Sequence, residues 1–334
     1  MAQGLARAKY QRVYVLFHID TPLEWLNLSR ARTLDVRDAA AHRIYALTFG
    51  FSADDAGVGA YADAAGAVRA LPRTIIAPNQ SRWGGDAHPQ GFGLRGYLRT
   101  HYPGAELYLF DATSAEDCAR RVLAFLQGKE PVPGGVDVSH WQGVIDWSKM
   151  AGKGVNFAWI KATESTGYVD PQFARNWREA RNFGILRGAY AFYRNGADAA
   201  RQADHFANTV GDDSGELPPA ADFEDTSGQA NPTAMRAFLD RIQARTGARP
   251  VIYTAAWWWT AGRLGGPVAW AKDYRLWAAD YSDPLKLPAD WPTWAVHQWT
   301  SSADGRAYGA QSAGLDLNRF NGTWRELWSL RNAG

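Results

Sequence analysis

One cysteine in 334 residues excludes an internal disulfide framework and any zinc cluster built on thiolates alone. No uninterrupted apolar run approaches the roughly 18 residues of a membrane-spanning helix. An excess of one charge is missing too. The chain has 36 Lys and Arg against 34 Asp and Glu, a formal net charge of +2, so attraction to nucleic acid is not its organising theme. There is no phosphate-binding glycine loop; Gly84 and Gly85 read as loop flexibility. His140, His205 and His297 have no metal-ligand spacing, and no metal or other cofactor is expected. The apolar run Val13 to Ile19 follows a basic stretch but stops at Asp20 with no small-residue cleavage pattern, so it reads as a strand and not as a secretory signal.

What the chain has in excess is tryptophan, with 16 residues beside 14 Tyr and 14 Phe. Only Trp25 and Trp83 precede residue 134, so the composition changes there. Aromatic rings fill cores, but fourteen indoles exceed the need of one core, and flat ring faces also suit sugars. The same point carries the clearest boundary. A helix expected over Ala115 to Gln127, capped by Ser114 and stopped by Gly128, gives way to a linker with Pro131, Pro133, Gly134 and Gly135. The expected units are an accessory α/β domain over 1–128, a linker over 129–134 and a second domain over 135–330.

In the first unit, strand-like runs at Val13 to Ile19, Arg43 to Phe49, Thr74 to Ala77 and Glu106 to Phe110 alternate with helical stretches at Pro22 to Leu28, Val58 to Leu71, Phe92 to Thr100 and Ala115 to Gln127. That alternation favours a partly parallel sheet. Residues 77–93 read as an exposed loop. Cys118 reads as a small buried side chain, and Arg95, Arg99, Arg120 and Arg121 as a solvated helix face, with binding of an anionic polymer as the functional alternative.

The second unit gives eight strand candidates. They begin at Gly135, Phe157, Gly188, Ala220, Pro250, Leu276, Trp294 and Gly314. Clear helices follow Asp170-Pro171, stopping at Gly184, and Asn231-Pro232, stopping at Gly247. Eight strands in about 200 residues fit an α/β fold with an irregular (β/α)-type, TIM-like barrel. The proline-rich stretch Tyr281 to Thr293 makes its second half irregular.

In such barrels functional residues sit at the C-terminal ends of strands. Acids stand at four of them: Asp137, Asp222 with Glu224, Asp280 and Asp316. Asp222 and Glu224 share a strand face, about 6.5 to 7 Å apart at the backbone. Their repulsion is expected to raise one pKa and leave the other ionised, the proton donor beside an anion that glycoside hydrolysis uses. The longer Glu224 is the expected acid and Asp222 the anion. For an isolated pair an exposed acidic turn would be the better account; the apolar flanks and the acids on other strands reverse that preference.

These motifs resemble those of glycoside hydrolase family 25, the Chalaropsis-type lysozymes. The blocks are Gly135 to Gly143 (GVDVSHWQG), Ile160 to Glu164 (IKATE), Tyr168 to Phe173 (YVDPQF), Gly188 to Tyr190 with Phe192, and Gln202 to Phe206 (QADHF). Asp222-x-Glu224, Ile252 to Thr254, Leu276-Trp277, Gln298-Trp299 and Asp316 to Gly322 complete the series. The resemblance covers about residues 134 to 330 and does not extend to 1–128. It implies a peptidoglycan N-acetylmuramidase cutting the β-1,4 bond between N-acetylmuramic acid and N-acetylglucosamine. Glu224 matches the general acid/base, Asp222 its partner carboxylate, and Asp137 and Asp316 the other acids. Lys161, Tyr168, Tyr190, Tyr253, Asp280, Gln298 and Trp299 are the expected groove residues. One departure is Ala191, where the family often has His.

Three routes stay open for Asp222: direct attack, activation of water, and orientation of the substrate's own N-acetyl group, which is favoured. The alternative function is a barrel that binds wall glycan without cutting it, although a lectin has no use for the acid pair. A second hydrolase in residues 1–128 has only Asp20 and Asp111 to offer, better read as turn or cap residues. The first unit is expected to hold the enzyme on a wall polymer, or on a virion or partner protein. The expected setting is manufacture in the cytoplasm of a bacterial cell, phage-infected in the endolysin case, with action at the wall.

Overall fold

The computed structural model describes residues 132–330 and, before them, four β-strands; the chain divides into two compact units, the second made of Val132–Ala180 and Ile185–Gly334. The strands of the first unit are β1 (Val13–His18), β2 (Ile44–Phe49), β3 (Thr74–Pro78) and β4 (Glu106–Phe110). They form one parallel sheet in the order β2-β1-β3-β4, and each falls where the apolar runs put it. The helices expected between them, the loop over 77–93, Cys118, the arginine patch, Asp20, Asp111 and residues 129–131 of the linker lie outside the described residues.

The second unit is a closed barrel. Its strands are β5 (Gly134–Val138), β6 (Val155–Glu164), β8 (Leu186–Phe192), β9 (Ala220–Asp222), β10 (Val251–Ala255), β11 (Leu276–Ala279), β12 (Val296–Asp304) and β13 (Gly314–Phe320). A two-residue strand, β7 (Tyr168–Val169), folds back on the end of β6. The order runs β5-β13-β12-β11-β10-β9-β8-β6, and pairing of β5 with β6 closes the ring. All eight expected strands are there. Six pairings are parallel, but β13 runs antiparallel to both β12 and β5. The reason is loop length. Residues 305–313 are nine, too few for the dozen or more that a parallel crossover needs.

The helices follow their start and stop signals. They are α1 (Trp147–Gly152), α2 (Phe173–Asn182), α3 (Ala199–Val210), α4 (Pro232–Thr246), α5 (Ala261–Leu264) and α6 (Trp324–Ser329). Asn231 caps α4 through the amides of Thr233 and Ala234, Pro232 holds its first position, and Gly247 ends it at φ +70°. Asp170 does less than a full cap: its carboxylate takes the Gln172 and His140 amides, and α2 begins at Phe173. Residues 280–295 contain no helix, as the prolines there require.

Tryptophans fill the barrel from the inside. Trp159 and Trp277 lie 4.8 Å apart at their ring centroids, and Tyr253 meets Trp277 at 4.7 Å. Trp159 donates its N–H to the Pro218 carbonyl at 3.1 Å, so the buried indole leaves no donor unpaired. Gly188 is required beside it, because a Cβ there would fall 2.3 Å from Trp159 Nε1. These rings fill the barrel beneath the strand ends that carry the acids.

Candidate active site

A cavity of about 310 Å³ opens at the C-terminal ends of the barrel strands. Asp137 from β5, Asp222 at the end of β9, Glu224 just beyond it and Asp316 from β13 all line it. So do Lys161, Tyr190, Tyr253 and Gln298. Of the eleven residues singled out in the sequence, these eight are brought together.

The other three are elsewhere. Trp299 follows Gln298 on β12, and strand alternation turns its ring away from the cavity, 44% exposed. Asp280 organises the loop after β11; its carboxylate accepts from Ser282 Oγ at 2.7 Å and from the Lys286 amide at 2.5 Å. Its neighbour Tyr281 takes the cavity position instead. Tyr168 is exposed beside the site, with its hydroxyl 3.2 Å from His140 Nδ1 and its ring 5.7 Å from Lys161 Nζ. Ala191 is buried and off the cavity wall, between Tyr190 and Phe192, which are on it.

Ser139, Trp141, Gln142, Phe192 and Trp277 stand in the motifs quoted above but were not assigned to the groove, and Tyr281 lay outside those motifs; all six line the cavity. Asn318, inside the block Asp316 to Gly322, was given no role, although its position two after Asp316 on one strand puts both on one face. A larger hollow of about 860 Å³ lies around Tyr274, Trp291 and Trp294, and its three acids are engaged elsewhere, Glu326 by the Thr323 amide at 2.7 Å. Its Asp290 is taken by Trp259 Nε1 and the Val268 amide, and its Asp273 stands 3.9 Å from Arg236.

Charge in the cavity is unbalanced. Four carboxyl groups face one lysine among the lining residues, and Lys161 Nζ already donates to Glu164 Oε2 at 2.7 Å. Burial raises Glu224 to about 7, helped by the charge of Asp137 and opposed by Lys161. Burial also pushes Asp222 up, with the charge of Glu224 adding to it. Asp222 Oδ1 is buried with no hydrogen-bond partner, which further disfavours its anion. This differs from the sequence expectation of one raised and one ionised acid. Repulsion alone splits a pair; shared desolvation lifts both.

Outside the cavity lining a second cluster holds the segment that follows Glu224. Arg194 donates to Glu164 Oε1 at 2.6 and 2.9 Å and to Asp225 Oδ1 at 2.8 Å. Asp225 also takes the Asn195 amide and the Ser227 hydroxyl, and its carbonyl accepts from Trp258 Nε1. Of the three consecutive indoles, Trp257 is exposed, while Trp258 and Trp259 are packed and hydrogen-bonded inside. Among the described residues no group of His, Cys, Asp or Glu has the geometry of a metal site.

The model for glycosyl hydrolases family 25 matches residues 136–306. "Lysozyme M1" of Streptomyces globisporus is 40% identical over 215 residues, covering 59% of this chain and 71% of that protein. The "N,O-diacetylmuramidase" of Chalaropsis sp is 32% identical over 217 residues, covering 59% of this chain and 97% of that one. The crystal structure of a bacterial lysozyme from Streptomyces coelicolor superposes with a TM-score of 0.53 at 36% identity, covering 60% of this chain and 98% of that chain. All three similarities, like the family match, leave a large part of the chain uncovered.

Proposed function

Because the chain belongs to glycosyl hydrolase family 25, we propose that its cavity cleaves the β-1,4 bond between N-acetylmuramic acid and N-acetylglucosamine of peptidoglycan, with Glu224 as general acid/base and Asp222 as its partner. The observation that carries this reading is the pair of the buried Asp222 and the half-buried Glu224 at the strand end, with Glu224 lifted to about 7. A carboxyl that is still protonated near neutral pH can deliver its proton to the leaving glycosidic oxygen, and once ionised it can take one back from water.

For Asp222 the favoured route is participation by the muramyl N-acetyl group. Burial and an unpartnered oxygen make Asp222 hard to ionise, which makes it a poor nucleophile and a poor base for water. Its part is then to hold the acetamido N–H while the acetyl oxygen attacks the anomeric carbon. A substrate analogue without that acetyl group, cut as fast as the natural glycan, would sink this route. A further part of the proposal is that residues 1–128 hold the enzyme on a wall polymer. Sedimentation of that segment with purified walls tests it, and protein left wholly in solution counts against it.

The deciding experiment is mass spectrometry of borohydride-reduced fragments from purified peptidoglycan, comparing the wild type with Glu224→Gln. The expected products end in reduced muramic acid and vanish in the variant. Products ending in reduced glucosamine would overturn the bond assignment. No products from several wall types would favour a glycan-binding barrel that does not cut.

A further inference from the structure

Asp137 and Asp316 are direct cross-strand partners on β5 and β13, so their side chains share one face of the sheet, and both line the cavity. Their surroundings are unequal. Asp137 receives N–H bonds on both oxygens: Gln298 Nε2 reaches Oδ1 at 2.9 Å and Oδ2 at 3.0 Å, and Asn318 Nδ2 reaches Oδ1 at 2.7 Å. Both amides are fixed from behind. Tyr253 and Tyr281 donate their hydroxyls to Gln298 Oε1 at 3.1 and 2.8 Å, and Trp277 Nε1 donates to Asn318 Oδ1 at 2.7 Å. Only their NH₂ ends can then face Asp137, which makes its place a cradle of donors suited to an anion. Two ionised acids directly opposite each other repel, and a proton on one of them turns the repulsion into a hydrogen bond. The donors already on Asp137 leave Asp316 as its seat.

We propose that Asp316 is the protonated member of this pair, a standing hydrogen-bond donor to an anionic Asp137, and that it positions Asp137 as a neutral group instead of adding a further negative charge to the cleft. The inference rests on reading the cavity as the hydrolytic centre. The charged and titratable groups facing the pair are Glu224, Asp222 and Lys161, with the hydroxyls of Tyr190, Tyr253 and Tyr281. Burial lifts Asp316 to about 8, with the charges of Asp137 and Glu224 adding. Burial raises Asp137 only to about 6, because the Gln298 and Asn318 hydrogen bonds oppose it. The ordering agrees with the geometry.

The test is an infrared titration of the full chain with ¹³C-labelled aspartate, reading the carbonyl stretch of protonated carboxyl groups at neutral pH. Wild type, Asp316→Asn and Asp137→Asn are compared, with near-UV circular dichroism as the check on folding. The expected result is that Asp316→Asn removes protonated-carboxyl intensity. Its amide still donates to Asp137, so kcat falls only by roughly tenfold, while Asp137→Asn, which sets an amide against two donors, falls by roughly a thousandfold. Intensity unchanged in Asp316→Asn overturns the proposal, and so does a kcat as low as that of Asp137→Asn in a folded protein. If the wild type releases no glycan fragments, the hydrolytic reading fails, and the infrared band alone decides the protonation.

Discussion

Strand β8 carries two charged clusters, and they are built on opposite rules. Near its start, Arg187 is 1% exposed and every N–H of its guanidinium is used. It reaches Glu216 at 3.1 and 3.0 Å, Asp213 at 3.0 Å twice, and the Trp177 carbonyl at 3.2 Å. Near its end, Tyr190 stands in a cavity where four carboxyl groups share one lysine. The first cluster is a buried charge satisfied in full. The second crowds acids together and leaves an oxygen of Asp222 unpartnered, and burial beside the charge of Asp137 lifts Glu224 into the range where it can exchange protons. Acids neutralised by a buried arginine brace the barrel, and the acids gathered around a single lysine are the ones suited to chemistry.

The comparison breaks most plainly at Glu224. Its replacement by Gln removes the proton donor and is expected to lower kcat by about 10³-fold, within the range general acids contribute, with melting temperature held or raised. The stability half of that expectation follows from linkage. A carboxyl whose pKa is raised from about 4.3 unfolded to about 7 folded contributes stability below pH ~4 and loses it as pH rises through 7. Thermal scans across that window should show the wild type falling relative to Glu224→Gln. A variant less stable than wild type near pH 8 would mean Glu224 is paired after all.

At the other end of β8 the expected pattern is reversed. Arg187→Met strands Asp213 and Glu216 and should cost about 3 kcal/mol in urea unfolding, less than a fully buried pair because Asp213 is half exposed. Activity per folded molecule should stay near wild type. A loss of kcat that exceeds the loss of folded protein would tie the two clusters together.

How much of this was legible beforehand follows the same division. The strands were readable because each is a short apolar run bounded by turn signals, and the acids because they stand at strand ends. The antiparallel β13 was not anticipated, since its direction depends on the length of the loop before it. Side-chain facing was the weaker part. Asp280 was chosen for its charge, but one residue further on Tyr281 enters the cavity, because the strand ends at Ala279 and the loop turns there. Glu164 lay within a quoted motif, yet its link through Arg194 to Asp225 joins residues 30 and 31 apart and cannot be read from spacing.

That link gives the next, smaller effect. Arg194 holds the segment after Glu224 without lining the cavity. Arg194→Gln should lower kcat by roughly tenfold and leave KM within about twofold, since the loop is displaced while the binding surface stays. Arg194→Lys should recover part of the loss through one of the two carboxylates. An effect on KM alone would assign Arg194 to substrate contact.

The activity should also fall as pH rises through about 7, where Glu224 loses the proton it has to deliver. A midpoint near the ordinary glutamate value would mean that substrate binding restores partners to the acid.

The smallest effect is expected at Trp299, and it sets the edge of the cavity. Its ring lies on the face of β12 opposite Gln298, while Tyr281, exposed as well, lines the cavity and donates to Gln298. Trp299→Ala should change kcat/KM on short glycans by less than about twofold, whereas Tyr281→Ala frees the Gln298 amide to turn and should cost roughly tenfold. Both variants are read on the same oligosaccharide series. If Trp299→Ala loses as much as Tyr281→Ala only on the longer members, the bound glycan extends past the rim and the exposed indole belongs to the same surface as the buried acids. If the loss is equal at every length, strand alternation has misplaced the ring, and the division between a chemical end and a bracing end of the barrel must be redrawn at β12.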